Sequence, residues 1–70
     1  MNISETLFET MKFCFTENLE FRLITGGPDQ NDYQIDKDNK IVTITIIDDK
    51  DVNLEQAIDE NLKKLKQIFK

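Results

Sequence analysis

The residue types able to do chemistry near neutral pH are few in this chain. Histidine and tryptophan are absent, and Cys14 is the single cysteine. A thiol becomes a nucleophile when a histidine or another electropositive setting holds it as thiolate. Cys14 has no histidine to call on and falls among apolar positions at helical spacing, so it reads as a small core residue. One cysteine makes no internal disulfide, and no Cys/His cluster exists to hold zinc. Fourteen carboxylates remain. Asp49, Asp51, Asn53, Glu55 and Glu60 follow much of the ligand spacing of a calcium-binding EF-hand loop. Leu54, however, stands where that loop needs glycine and opens an apolar helical stripe, and a helix cannot wrap a cation. Counting from Asp36 instead puts Ile47 at the final ligand position, where it has no atom to coordinate with. Paired carboxylates can act as acid and base across a cleft, but these acids lie in turns and on helix surfaces of a short chain. Gly26-Gly27 lacks the further glycine and the Lys-Ser/Thr of a phosphate-binding loop. Neither an enzyme nor a cofactor or metal is expected.

The acids are unevenly placed. All fourteen lie at or before Glu60, against only Lys12, Arg22, Lys37, Lys40 and Lys50 in the same stretch, while Lys63, Lys64, Lys66 and Lys70 form a basic tail. The net charge of −5 argues against direct binding to nucleic acid or an anionic membrane, both of which need clustered Lys and Arg. Tyr33 and the five phenylalanines offer stacking surfaces, but without a basic surface they do not make a nucleic-acid site. No run approaches the roughly 20 apolar residues of a membrane span, and Met1 to Glu5 lack the basic and apolar regions of a signal peptide. A soluble, reducing, cytoplasmic setting is expected.

Residues 1–70 read as one domain. Ile3, Leu7, Phe8, Met11, Cys14 and Phe15 predict a helix with one apolar face, capped by Asn2 with Glu5 in a capping box, or by Ser4, and ending near Glu17-Asn18. The pattern then switches to period two. Leu19, Phe21 and Leu23 alternate with Glu20, Arg22 and Ile24 in a first strand, stopped by Gly26-Gly27-Pro28-Asp29. Asp32 to Asp36 is a second strand, and Lys37-Asp38-Asn39-Lys40 a hairpin turn. Ile41 to Ile47 is a third strand in which every residue is β-branched, with Val42, Ile44 and Ile46 inward. A last helix, capped by Asn53 with Gln56 in the capping box, carries Leu54, Ile58, Leu62, Leu65 and Phe69 on its stripe, widened by Ala57 and Ile68. Asp59 with Lys63 and Glu60 with Lys64 stand at favourable spacing. The expected fold is α+β, in the order α-β-β-β-α: a three-stranded antiparallel meander with both helices on one face, and an open face carrying Glu20, Arg22, Thr43 and Thr45. Phe13 and Tyr33 fall off the apolar stripes and could anchor a protein partner, Phe13 standing either as an exposed aromatic of an interface or as a cover over the edge of the core.

That element order and length resemble a double-stranded-RNA-binding domain. In that family a run of lysines opens the last helix and grips phosphates. Here Asn53-Leu54-Glu55-Gln56 stands in its place, after Asp48-Asp49-Lys50-Asp51, so the charge has the wrong sign for RNA. The chain is also similar to the small acidic proteins that phages and other mobile elements encode against host defences, such as anti-CRISPR and DNA-mimic inhibitors. It shares their brevity, an acid-rich stretch from Asp29 to Asp51 and the lack of catalytic residues. This likeness implies a non-enzymatic inhibitor that docks on a basic, nucleic-acid-binding protein of the host, with Asp29, Asp32, Asp36, Asp38, Asp48, Asp49 and Asp51 in the place of phosphates. A homodimer or adaptor pairing through the outer sheet face or a strand edge is the alternative.

Overall fold

The computed structural model describes residues 3–27 and 30–69. The expected cap at Asn2, the side chain of Ile3 and the turn residues Pro28 and Asp29 lie outside what it describes. The elements follow the expected order: α1 (Ile3–Thr16), β1 (Glu20–Thr25), β2 (Asp32–Asp36), β3 (Ile41–Ile46) and α2 (Leu54–Ile68).

The end of α1 fixes the start of the sheet. Asn18 takes the left-handed conformation (φ 59°), which asparagine tolerates better than most residues. The Asn18 N–H donates to the Phe15 carbonyl at 3.3 Å and the Leu19 N–H to the Cys14 carbonyl at 2.8 Å. This is a Schellman motif, and its characteristic apolar contact is present, since Leu19 and Cys14 share one buried cluster. The next residue begins the sheet: the Glu20 N–H donates to the Lys40 carbonyl at 2.8 Å.

The sheet is mixed, not the antiparallel meander expected. Its order is β1-β3-β2, with β3 parallel to β1 and antiparallel to β2. β1 and β2 are therefore the two edges of the sheet, and β2 leads into β3 through the Lys37–Lys40 turn. Residues 26–31 have to cross two strand spacings, about 10 Å, which six residues span with room to spare. The glycines permit the sharp departure. Gly27 has φ +120°, where a side chain is strained whatever the space around it. The Gly26 N–H donates to the Ile46 carbonyl at 3.4 Å, continuing the β1–β3 ladder by one step.

Asn31 closes this crossing. Its Oδ1 accepts from the backbone N–H groups of Ile47 (2.6 Å) and Asp48 (2.9 Å), and its Nδ2 donates to the Asp48 carbonyl at 2.9 Å. The side chain thus bonds like a short extra strand against the segment leaving β3.

One sheet face carries the core. The rows Phe21–Val42–Ile35 and Leu23–Ile44–Tyr33 lie across it. Val42 and Ile44 are fully buried. Cys14, Leu19, Val42, Leu62 and Leu65 form one cluster, edged by Phe13, Phe21, Ile35 and Phe69. Ile44, Leu54 and Ile58 form the other, edged by Leu7, Phe21, Tyr33 and Ile46. Side chains of both helices enter clusters built on this face, so both helices cover it. Each fully buried Val, Leu or Ile contributes about 1.5–3 kcal/mol. Leu23 lies on the same face but at the β1 edge, and stays half exposed.

The buried face of α1 differs from the apolar stripe read in the sequence. Thr6, Thr10 and Cys14 point inward and are fully buried, while Phe8, Met11 and Phe15 are exposed. Threonine can take an inward position because its hydroxyl can bond back along the helix, and Thr10 Oγ1 donates to the Thr6 carbonyl at 2.9 Å. Phe13 takes the second of the two roles open to it and is half-buried over the edge of the core.

The start of α2 also departs from expectation. Asn53 occupies the cap position but makes no side-chain capping bond. Asp51 does that work: its Oδ1 accepts from the Asn53 N–H at 2.9 Å and its carbonyl from the Leu54 N–H at 3.1 Å. Gln56 pairs forward with Glu60 at 3.2 Å instead of back to the cap. Lys63 and Asp59 form the expected ion pair at 3.2 Å. Ile68, expected on the stripe, is exposed.

Asn31→Ala should lower stability by about 0.5–1.5 kcal/mol, because it strips the acceptor from two partly exposed backbone donors. Asn31→Asp keeps that acceptor but turns a carboxylate oxygen toward the Asp48 carbonyl beside Asp48 and Asp51, so it should destabilise as well; urea denaturation of both variants checks this. Lys40 is left-handed (φ 56°), so Lys40→Gly should raise stability by about 0.5–1 kcal/mol in the same assay.

Candidate functional site

The acid-rich stretch divides between the two ends of the β2–β3 pair. Asp32 pairs with Thr45, and Asp36 with Ile41. Asp32 therefore lies at the end where β3 exits, beside Asp48, Asp49 and Asp51, while Asp36 and Asp38 lie at the opposite turn. The two groups are about 13 Å apart along the strand at its usual rise. Asp29 lies outside the described residues.

Several of these carboxylates build the turns they occupy. Asp36 Oδ1 accepts from the Asn39 N–H at 3.1 Å, and Oδ2 from Asn39 Nδ2 at 2.9 Å. These bonds, with a smaller contribution from the Asp38 N–H, hold the Asp36 carboxyl below the usual carboxylate range. Asp48 Oδ1 accepts from the Lys50 N–H at 3.0 Å. Asp51 holds the entry to α2, and Asp32 accepts from the Tyr33 N–H at 2.9 Å and from Gln34 Nε2 at 2.7 Å. Asp38 and Asp49 make no side-chain bond to the described residues. An aspartate in such a turn is explained by local backbone geometry, so its presence alone does not mark a binding site.

Charge separates the two ends. The Asp36–Lys40 turn holds two acids and two lysines, Lys37 and Lys40, and is balanced. The exit end holds Asp32, Asp48, Asp49 and Asp51 against Lys50. Tyr33 registers this field: its phenol is pushed up by partial burial first, then by the charges of Asp51 and Asp32. A shallow groove lined by Gln30, Asn31, Ile47, Asp48 and Asp51 opens at this end. Asn31 therefore has two consequences: it fixes the exit of β3 and sets Asp48 at the rim of the groove.

The other candidate chemistries fare as follows. Cys14 is buried, and burial pushes its thiol up, away from the reactive thiolate. The residues at EF-hand spacing run from Asp49 into α2, with Leu54 to Glu60 helical, so they do not encircle a point. Among the described residues no group of three or more His, Cys, Asp or Glu side chains is arranged to hold a metal ion. No described helix is long and apolar enough to cross a membrane.

The surface that sequence reasoning missed is the outer face of α1. Phe8 is 62% exposed, Met11 48% and Phe15 86%. The signal was present in Thr6 and Thr10, which stand one helical turn apart and in line with Cys14. That row is an alternative inward face for the same helix.

No family model, no curated protein sequence and no solved structure matches this chain.

The hydrogen bonds to Asp36 set the sign of a pH effect. A carboxyl held low in the folded chain adds stability that is fully present above its unfolded pKa and is lost as pH falls through the folded value. The Asp36 carboxyl should therefore titrate below the usual carboxylate range when followed by NMR. In Asn39→Ala its midpoint should move back up toward that range.

Proposed function

We propose that the chain is a non-enzymatic protein-binding module that meets a basic partner at the exit end of its sheet. The observation that carries this reading is a shallow groove lined by Asp48 and Asp51 at the end of the sheet where Asp32 and Asp49 also lie, with Lys50 as the base in the Asp48–Asp51 segment. Carboxylates held on turns present fixed negative charge, and the net charge of −5 adds a long-range field that steers a basic surface into contact. A nucleic-acid-binding protein of the host is the partner class that fits, because its surface is built to accept phosphates. The module then acts as an inhibitor of the anti-defence kind, occupying that surface in place of DNA or RNA. The start of α2, with Asp51 and Glu55, is acidic where an RNA-binding helix needs lysines, which favours the protein partner over RNA itself.

Strand register and charge balance support Asp48 and Asp49 as the residues on which the mimicry would depend. Asp48 and Asp49 stand in the unbalanced field of the exit end, whereas Asp36 and Asp38 are offset by Lys37 and Lys40. Asp49 has a carboxylate that makes no bond to the described residues, while Asp51 is committed to the entry of α2.

The test is affinity capture from host lysate at low and high salt, read by mass spectrometry, followed by titration of the captured partner. A basic nucleic-acid-binding protein should be retained at low salt and shed at high salt. Asp48→Lys with Asp49→Lys should weaken its binding at least tenfold. Asp36→Lys with Asp38→Lys should weaken it less. Salt-resistant capture, or equal affinity for the Asp48/Asp49 variant, would overturn the electrostatic reading.

A further inference from the structure

We infer that the open edge of β1 is a docking site for an extended segment of a partner protein, which adds to the sheet as a further strand under the flank of α1. This surface is distinct from the acidic end, and its use does not depend on that reading.

Strand register shows what the edge offers. The Glu20 N–H donates to the Lys40 carbonyl and the Gly26 N–H to the Ile46 carbonyl. In a parallel pair alternate residues bond to the neighbouring strand, so Glu20, Arg22 and Ile24 turn their backbone groups to β3. Phe21, Leu23 and Thr25 turn theirs to the other side, where the sheet has no further strand. Each presents an N–H and a carbonyl in a row. An unpaired row of this kind is a template for another strand, and main-chain bonding to a sheet edge is a recurring mode of peptide recognition.

The edge is also unguarded. Glu20–Thr25 contains no lysine, no proline and no break in register, the devices that usually block edge pairing. The β2 edge is different. Asp32, Gln34 and Asp36 pair with the β3 residues that face away from β1, so Tyr33 and Ile35 turn their backbone groups outward. The Tyr33 N–H is already taken by Asp32 Oδ1 at 2.9 Å, and an aspartate stands at each end of the strand. One edge is closed by its own side chains and the other is not.

The side chains around β1 say what kind of segment fits. α1 packs on β1 and α2 on β2. Glu5, Glu9, Lys12 and Thr16 line grooves shared with α2. The opposite flank of α1, which carries Leu7 and Met11, therefore lies toward the free edge of β1. Met11 is 48% exposed, and Leu23, on the sheet face that α1 covers, is 46% exposed. Alternate residues of a strand laid against β1 enter the space between that flank and Leu23, while those between them face outward beside Arg22 and Ile24. The segment that fits has apolar residues at alternate positions and polar residues between them.

A second copy does not fit the same edge. Pairing β1 with β1 about a two-fold axis puts the helices of both copies on one side of the joint sheet. Edge-paired strands lie about 4.8 Å apart. The two α1 helices, each standing over its own β1, would be held near that spacing, and packed helices need roughly 8–10 Å. The occupant is a strand with no helix above it, supplied by another protein.

An NMR titration with a net-neutral probe, acetyl-Lys-Val-Thr-Val-Thr-Val-Glu-amide, tests the inference. In antiparallel register its central valine sits opposite Leu23, and its valines exchange bonds with Phe21, Leu23 and Thr25. In the free chain the amides of these residues should exchange with solvent faster than those of Arg22 and Ile24. Saturation with the probe should slow their exchange at least tenfold and leave the amides of Tyr33 and Ile35 unchanged. N-methylation of the probe's valines should abolish binding, because it removes the donors that face β1, whereas N-methylation of its threonines should preserve it. Leu23→Lys should raise the dissociation constant at least tenfold with an unchanged circular dichroism spectrum, since Leu23 is half exposed. No binding at millimolar probe, equal binding of the two methylated probes, or protection centred on the β2 edge overturns the inference. A dimer protected at Phe21, Leu23 and Thr25 in the absence of probe would give the edge to a second copy and overturn it as well. Asp48→Lys with Asp49→Lys should leave probe binding unchanged, so this reading and the acidic-end reading fail separately.

Discussion

The insertion of β3 between β1 and β2 is the constraint on which the rest of the molecule depends. It places the strand with the most β-branched residues at the centre, where its inner side chains, Val42 and Ile44, reach both buried clusters. It also sets β1 and β2 at opposite edges, with β3 leaving the sheet between them. Past Ile46 the backbone N–H groups of half-buried Ile47 and exposed Asp48 have left the ladder, and backbone groups shielded from water need partners. Asn31 supplies them from 16 and 17 residues away. The acidic groove is a by-product of the same device, because the bonds that satisfy the backbone of Ile47 and Asp48 also hold the two loops together at its rim.

Local patterns made the elements legible. The alternation around Phe21, the β-branched run from Ile41 and the four-and-three spacing from Leu54 each predict an element to within about a residue of where it lies. The left-handed Asn18 and the turn at Lys37–Lys40 were readable from residue type. Strand order was not, because it is decided by pairings far apart in the sequence. Residues 26–31 are long enough to turn back into a hairpin or to step over a strand, and nothing in their composition distinguishes the two. What decides is the Asn31 bond set together with the capacity of β3 for burial in the centre.

The candidate site was legible by composition and obscured by function of a more local kind. Aspartates in turns are visible as exposed acids, but the sequence does not say which of them spend their oxygens on backbone donors. Asp36 and Asp51 do so fully enough to be explained by the fold. The charge balance becomes meaningful only once strand register separates the exit end from the Lys37–Lys40 turn. The six described aspartates of what looks like one acidic stretch are two unlike groups, one offset by lysines and one not.

The misreading of α1 has a physical origin that bears on function. Six apolar positions spread over a wide arc of the helix, and hydropathy alone centres the buried face on the phenylalanines. The packed chain instead centres it on Thr6, Thr10 and Cys14, small or compact side chains that let α1 lie close to its neighbours. The Thr10 hydroxyl needs no outside partner, because the Thr6 carbonyl accepts it. Large side chains at those positions would push the helix outward and open the contact with β1 and α2. The two phenylalanines and Met11 are thus excluded from the core by its thickness, and a helix with an apolar side both inside and outside is the result. Retaining such a side in water carries a solubility cost that three polar substitutions would remove with little effect on packing, since none of the three is buried. An exposed stripe that packing does not require is most simply explained by a contact made outside the single chain.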